Sequence, residues 1–128
     1  MADIEFDKRD QLKRIQAYLV PGEQLFAVYD MKGGGTGFVG ITDLRLIFYD
    51  QAFLRKKKAM VSIPFTQITS IASEDTGKLL MGTLLGSSNL IITTTAGETQ
   101  EFTFRSNDKA HRAYKLMVSQ MLQSEVPG

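Results

Sequence analysis

Three stretches of the chain have residue types and spacing that chemistry could use. Gly35-Thr36-Gly37-Phe38-Val39-Gly40 satisfies G-x-G-x-x-G, the pattern of dinucleotide cradles and kinase phosphate loops. Arg55-Lys56-Lys57-Lys58 sets four cations in succession. Leu79, Leu80, Met81, Leu84 and Leu85 crowd large apolar side chains into a stretch broken by Gly82. A dinucleotide cradle needs a helix after its glycines, so that the helix N-terminus receives the pyrophosphate. Here the glycines run into FVGIT, a strand-type sequence. A kinase loop does lie between strands, but the lysine strand, catalytic loop and metal-binding motif of that fold are missing. The glycines are therefore expected to turn a hairpin. Gly40 is expected at a bend or close contact within a strand, and no nucleotide is expected to bind.

The basic run has two readings. Four cations in one loop attract phosphates or anionic headgroups, at about 1 kcal/mol per residue near a charged surface. The plainer reading is a solvated hairpin loop whose lysines discourage edge pairing. Residues 79–85 are core if they form a strand buried on both faces, and an apolar patch seeking a partner if they form a loop. We expect part core and part subunit contact.

Enzyme chemistry finds little support. His111 is the one histidine and there is no cysteine, which argues against a metal site and against a thiol nucleophile. Asp43, Asp50, Glu74, Asp75, Glu98 and Glu101 fall in turns or on polar strand faces, and no triad or paired-carboxylate arrangement emerges. The expectation is no catalytic residue, no metal and no cofactor.

The chain has 128 residues, the size of one domain, and 43% of them are hydrophobic, enough for one core. The net charge of +1 supplies no field for nucleic acid. No apolar run approaches the ~18 residues that span a bilayer. The charged opening MADIEFDKRD is unlike a signal peptide. A cytoplasmic protein is expected, with peripheral membrane contact as the alternative.

These residues need elements to hold them. Residues 4–19 read as a helix, with Leu12, Ile15 and Leu19 on one stripe, Asp3 as cap and Pro21 as stop. Glu5/Arg9 and Asp10/Arg14 would pair on its wet side. Strand-type runs follow at 24–31, 37–42, 44–50, 59–65, 66–73, 89–95 and 99–105, with a turn at Ala96-Gly97-Glu98. Ser106-Asn107-Asp108 then caps a second helix whose apolar stripe is Ala110, Tyr114, Met117 and Met121. Hairpin spacing means an antiparallel sheet that folds over into a sandwich or barrel.

VPGEQLFAVYD, GFVGITDLRLIFYD, VSIPFTQITSI and GSSNLIITTTAGETQEFTF, followed by a helix, resemble the bacterial pleckstrin-homology (PH-like) domains, with GRAM domains related in fold. The resemblance covers about residues 20–122 and leaves the N-terminal helix outside. It implies a mainly β (α+β) fold: a partly open barrel of seven antiparallel strands over 22–105, capped by a C-terminal helix over 106–123 and preceded by a helix within 1–20. It further implies a non-catalytic binding or scaffolding module, assembled with itself or with another protein. Relatives that bind phosphoinositides carry cations in the first hairpin loop. Here that loop offers Lys32 alone, so the candidates for anion binding are Lys32 together with Arg55, Lys56, Lys57 and Lys58. A homo-oligomer is the first expectation for the partner and an anionic membrane surface the second.

Overall fold

Period-two apolar runs build most of the molecule. The computed structural model describes residues 3–31, 37–50, 59–75, 78–80, 83–85, 87–106 and 108–125, with backbone alone at 50, 75, 78–80, 83–85 and 124–125. β1 (Glu5–Phe6), β2 (Leu25–Asp30), β3 (Phe38–Thr42), β4 (Arg45–Asp50) and β5 (Ala59–Pro64) form one sheet in chain order. A 3-10 turn over Phe65–Gln67 leads to β6 (Ile68–Asp75). With β9 (Ser88–Thr94) and β10 (Thr99–Phe104), β6 makes a second sheet in the order β10-β9-β6. β7 (Lys78–Leu80) and β8 (Thr83–Leu85) pair only with each other. Each of the seven expected runs is a strand, and all pairs but β1–β2 are antiparallel.

Of the expected partly open barrel with helices at both ends, the mainly β architecture and the two helices are present, and among the described residues the strands divide into five-, three- and two-stranded sheets that do not close. Among the described residues, an isolated bridge between Met31 and Phe104 links the β2 end of one sheet to the β10 end of the other. At the opposite corner the 3-10 turn carries the chain from β5 to β6. The sheets meet through side chains instead. Ala27, Tyr29, Val39, Ile41, Leu46 and Phe48 face Leu90, Ile92, Phe102 and Phe104 in one buried cluster. The C-terminal helix, α2 (Lys109–Glu125), closes it with Ala110, Ala113 and Met117.

The first sheet is covered on its other face too. α1 (Arg9–Gln16) lays Leu12 and Ile15 on Val28, Phe38, Ile47 and Tyr49. Two covered faces explain why β3 and β4 read as nearly unbroken apolar runs. Gly40 allows the close approach: a Cβ there would stand 2.9 Å from Ile15 Cγ2 and 3.1 Å from Ile47 Cγ2. The expectation of a glycine at a close contact therefore holds, and the contact is with α1.

The N-terminal helix is shorter than its sequence suggests. It starts after Lys8, without a side-chain cap, and ends before Ala17. Asp3 does not cap it, because Glu5 and Phe6 are extended and pair in parallel with Ala27 and Val28. The Asp7 amide then donates to Val28 O (3.2 Å). Neither expected i,i+4 pair is seen. Glu5 reaches Arg112 (2.8 Å), Arg9 lies over the Phe6 ring, and the Arg14 guanidinium stands 4.3 Å from the Tyr49 ring centroid.

The start of α2 is held from a distant strand as well as locally. Ser106 donates to the Asp108 carboxylate. The buried Ser88 hydroxyl accepts from the Ala110 amide (3.0 Å) and donates to Ser106 O (2.7 Å). Ser88→Ala therefore leaves a helix-end amide and a carbonyl unpaired in the interior. It should cost about 1–2 kcal/mol in a urea titration, the size of a lost cap, and a change below a few tenths would contradict this account.

Candidate functional site

The turn between β3 and β4 and the entry to β2 are joined by an ion pair. Arg45 Nε donates to Glu23 Oε2 (2.8 Å) and Arg45 Nη2 to Glu23 Oε1 (2.9 Å). The Thr42 hydroxyl donates to Glu23 Oε2 (2.7 Å), and the Val20 amide to Oε1 (3.0 Å). Arg45 also reaches Ser62 Oγ (2.8 Å) and Tyr18 O (2.7 Å). The Glu23 carboxylate is out of solvent and Arg45 is 19% exposed. The Arg45 hydrogen bond, helped by those of Val20 and Thr42, holds the Glu23 pKa down to about 2 against the cost of burial. Both carboxylate oxygens of Glu23 are occupied twice over, so this pair clasps the fold. Around it stand three exposed apolar side chains: Tyr18 at 47%, Val20 at 50% and Leu44 at 53%.

A second charged cluster surrounds the end of β2. Asp30 is only 7% exposed. Its Oδ1 accepts from Gln11 Nε2 (2.8 Å) and faces Lys8 Nζ (3.6 Å), and its Oδ2 accepts from Arg105 Nε (3.0 Å). Burial pushes the Asp30 carboxyl up, but the Gln11 and Arg105 hydrogen bonds and the Lys8 and Arg105 charges outweigh it and leave it below its ordinary range. The Asp30 amide donates to Asp7 Oδ2 (2.8 Å), and Asp7 Oδ1 pairs with Lys109. Lys109 Nζ also stands 5.0 Å from the Tyr29 ring centroid. Asp7, Lys8, Asp30, Arg105, Ser106 and Lys109 line a cleft of about 350 Å³. A carboxylate held ionised by two cations has no proton to donate near neutral pH.

The residues singled out from the sequence are placed unevenly. Lys32, Met81 and Arg55, Lys56, Lys57 and Lys58 lie outside the described residues. The backbones of Leu79, Leu80, Leu84 and Leu85 form the β7–β8 ribbon, with Leu79 opposite Leu84; their side chains are not described. Of the G-x-G-x-x-G glycines, Gly35 is also outside. Gly37 O accepts from Met31 N (3.0 Å) where antiparallel β2 and β3 meet, and a strand follows instead of a helix. His111 is exposed beside Tyr114. Among the described residues no three acidic, histidine or cysteine side chains group as a metal site, and no helix is long and apolar enough to cross a membrane.

The residues of the Asp30 cluster escaped the sequence reading. For Asp7 and Lys109 the signal is the alternation Asp3-Ile4-Glu5-Phe6-Asp7, a strand period in a segment read as helix, against Lys109, Arg112 and Lys115 spaced by three on a helix; Lys8, Gln11, Asp30 and Arg105 carry none.

Comparison with known proteins places this geometry in context. The family profile described as "Bacterial PH domain" matches residues 2–121 and so includes the N-terminal segment. The chain is 36% identical over 76 residues to "Uncharacterized protein YozO" of Bacillus subtilis (strain 168). That match spans 54% of this chain and 64% of the relative, just under two thirds of its length. Among solved structures, the C-terminal domain of an unknown protein from Leishmania infantum is similar at a TM-score of 0.47 and 18% identity, over 89% of this chain and 94% of that one.

Proposed function

The chain belongs to the bacterial PH domain family, and from that premise we propose that it is a non-catalytic binding module whose first partner is a second copy of itself. The observation that carries this reading is the set of exposed apolar side chains around the Glu23–Arg45 clasp. Tyr18, Val20 and Leu44 are each about half exposed, while the main chain beneath them is bonded into the clasp through Tyr18 O, Val20 N and Leu44 N. Apolar groups presented on a preorganised base lose little conformational entropy on docking. Light scattering on the full chain at high micromolar concentration tests it. The expected result is a multiple of the 14.3 kDa chain mass that falls to a monomer in Tyr18→Glu/Leu44→Glu. A wild-type monomer overturns self-assembly.

The four-cation run Arg55–Lys58 supports a second reading, peripheral binding to anionic lipid. Liposome sedimentation should then require anionic lipid, weaken with salt, and fall when Lys56, Lys57 and Lys58 become Gln. Binding that ignores lipid charge would remove this reading.

A further inference from the structure

The groove between the open edge of β2 and the basic flank of α2 is occupied in cis by residues 3–7. We propose that it is a receptor for an extended acidic segment of another protein, with carboxylates at alternate positions, and that residues 3–7 are a displaceable plug. The proposal concerns a different surface from the Leu44 face and does not depend on it.

The first observation is charge complementarity in register. In an extended segment, alternate side chains point the same way. Asp7 pairs with Lys109, and Glu5 Oε1 accepts from Arg112 Nη1 at 2.8 Å. The helix therefore reads successive acids of the strand with cations three residues apart. The apolar residue between them, Phe6, pairs with Val28 on the sheet edge through its backbone.

The second observation is how lightly the plug is held. Its pairing with β2 covers two residues, Glu5 opposite Ala27 and Phe6 opposite Val28. At Asp30 a side-chain carboxylate from Asp7 takes the amide that a longer strand would bond with its backbone. Glu5, Phe6 and Asp7 are exposed, and only Ile4 of the segment is half-buried. The Glu5–Arg112 pair is about half exposed on both sides, so solvent screens it and it adds little hold.

The third is room beyond the plug. A cleft of about 510 Å³ runs from Glu5, Tyr29 and Arg112 on to Lys115, Ser119 and Gln120. Its end nearest Lys115 offers an ammonium, a hydroxyl and an amide. An acidic segment that continued past the Glu5 position would meet a third cation there. Burial, and next the Glu5 carboxylate, hold the Tyr29 phenol above its ordinary range, and its hydroxyl is buried behind the wall of the cleft.

The probe is a fluorescein-labelled peptide, ADIEFDK, titrated against full-length protein by anisotropy. Glu5→Lys/Asp7→Lys should expel the plug by repulsion from α2 and bind the peptide at least about tenfold more tightly than wild type. Adding Arg112→Glu/Lys115→Glu should abolish that gain, and a neutral peptide, ANIQFNK, should not bind. Equal affinity in both backgrounds, or binding indifferent to the α2 charges, overturns the proposal. If the lysine variant does not fold, hydrogen exchange on wild type decides. Excess peptide should speed exchange of the Asp7 amide about tenfold and leave unchanged the Ala17 amide, which bonds Lys13 O at the end of α1; no change at Asp7 overturns it. Displacement by phosphatidylserine vesicles and not by peptide would assign the groove to a lipid surface, and also overturns it.

Discussion

Arg45→Met will lower stability at pH 7 by about 3 kcal/mol, measured as a shifted denaturant midpoint at unchanged slope. Removing one partner of a buried ion pair leaves the other charge uncompensated, typically at about 3–5 kcal/mol. The lower end applies because Arg45 keeps some contact with water. The same substitution has a pH signature. Glu23 is depressed from 4.5 to about 2 in the folded state, so its stabilising contribution is complete above pH 4.5 and is lost as pH falls through that window towards 2. The difference between wild type and Arg45→Met should therefore be largest at neutral pH and shrink between pH 4.5 and 2. A difference that stays constant down to pH 2 would mean that the pair is not the source of the effect.

Gly40→Val will cost about 2–3 kcal/mol and will release α1 before the rest of the fold. Even a single added carbon would meet Ile15 Cγ2 at 2.9 Å, closer than two carbons normally pack. The neighbours are fully buried and have no free space to move into. Ile15→Ala alone removes packing and should cost about 3 kcal/mol. Combined, the two should cost clearly less than their sum, because the smaller residue at 15 gives the added valine its space. Additive losses would show that Gly40 is needed for its backbone and not for the approach of the helix.

The strands were legible because their signal is local. Phe102 and Phe104 are buried while Glu101 and Arg105 are exposed, and that alternation is written in adjacent residues. The turn at Gly97 was equally legible and carries the positive φ, +82°, that glycine supplies. VPGEQLFAVYD and GFVGITDLRLIFYD could be picked out as carriers of the resemblance, but not for what Glu23 and Arg45 do within them. Glu23 and Arg45 are 22 residues apart, and only the antiparallel register of β2 and β3 brings them together. The Asp30 cluster draws on residues 8, 11 and 105, and its Arg105 contact spans 75 residues. No window on the sequence spans that distance. The N-terminal helix was overextended for a different reason. Asp3 reads as a helix cap, yet an open strand edge and a basic helix compete for Glu5, Phe6 and Asp7 and win.

The plug at residues 3–7 also has a place in time. Its ion pairs to Lys109 and Arg112 join residues more than 100 positions apart, Asp7 to Lys109 and Glu5 to Arg112. Closing so long a loop costs entropy and becomes favourable only once both ends are built. β2 and α2 must therefore be in place before the segment can dock. Substitutions at Glu5 or Asp7 should leave the refolding rate nearly unchanged and speed unfolding instead. Residues 3–7 precede both β2 and α2 in the sequence, yet are among the last to find their place.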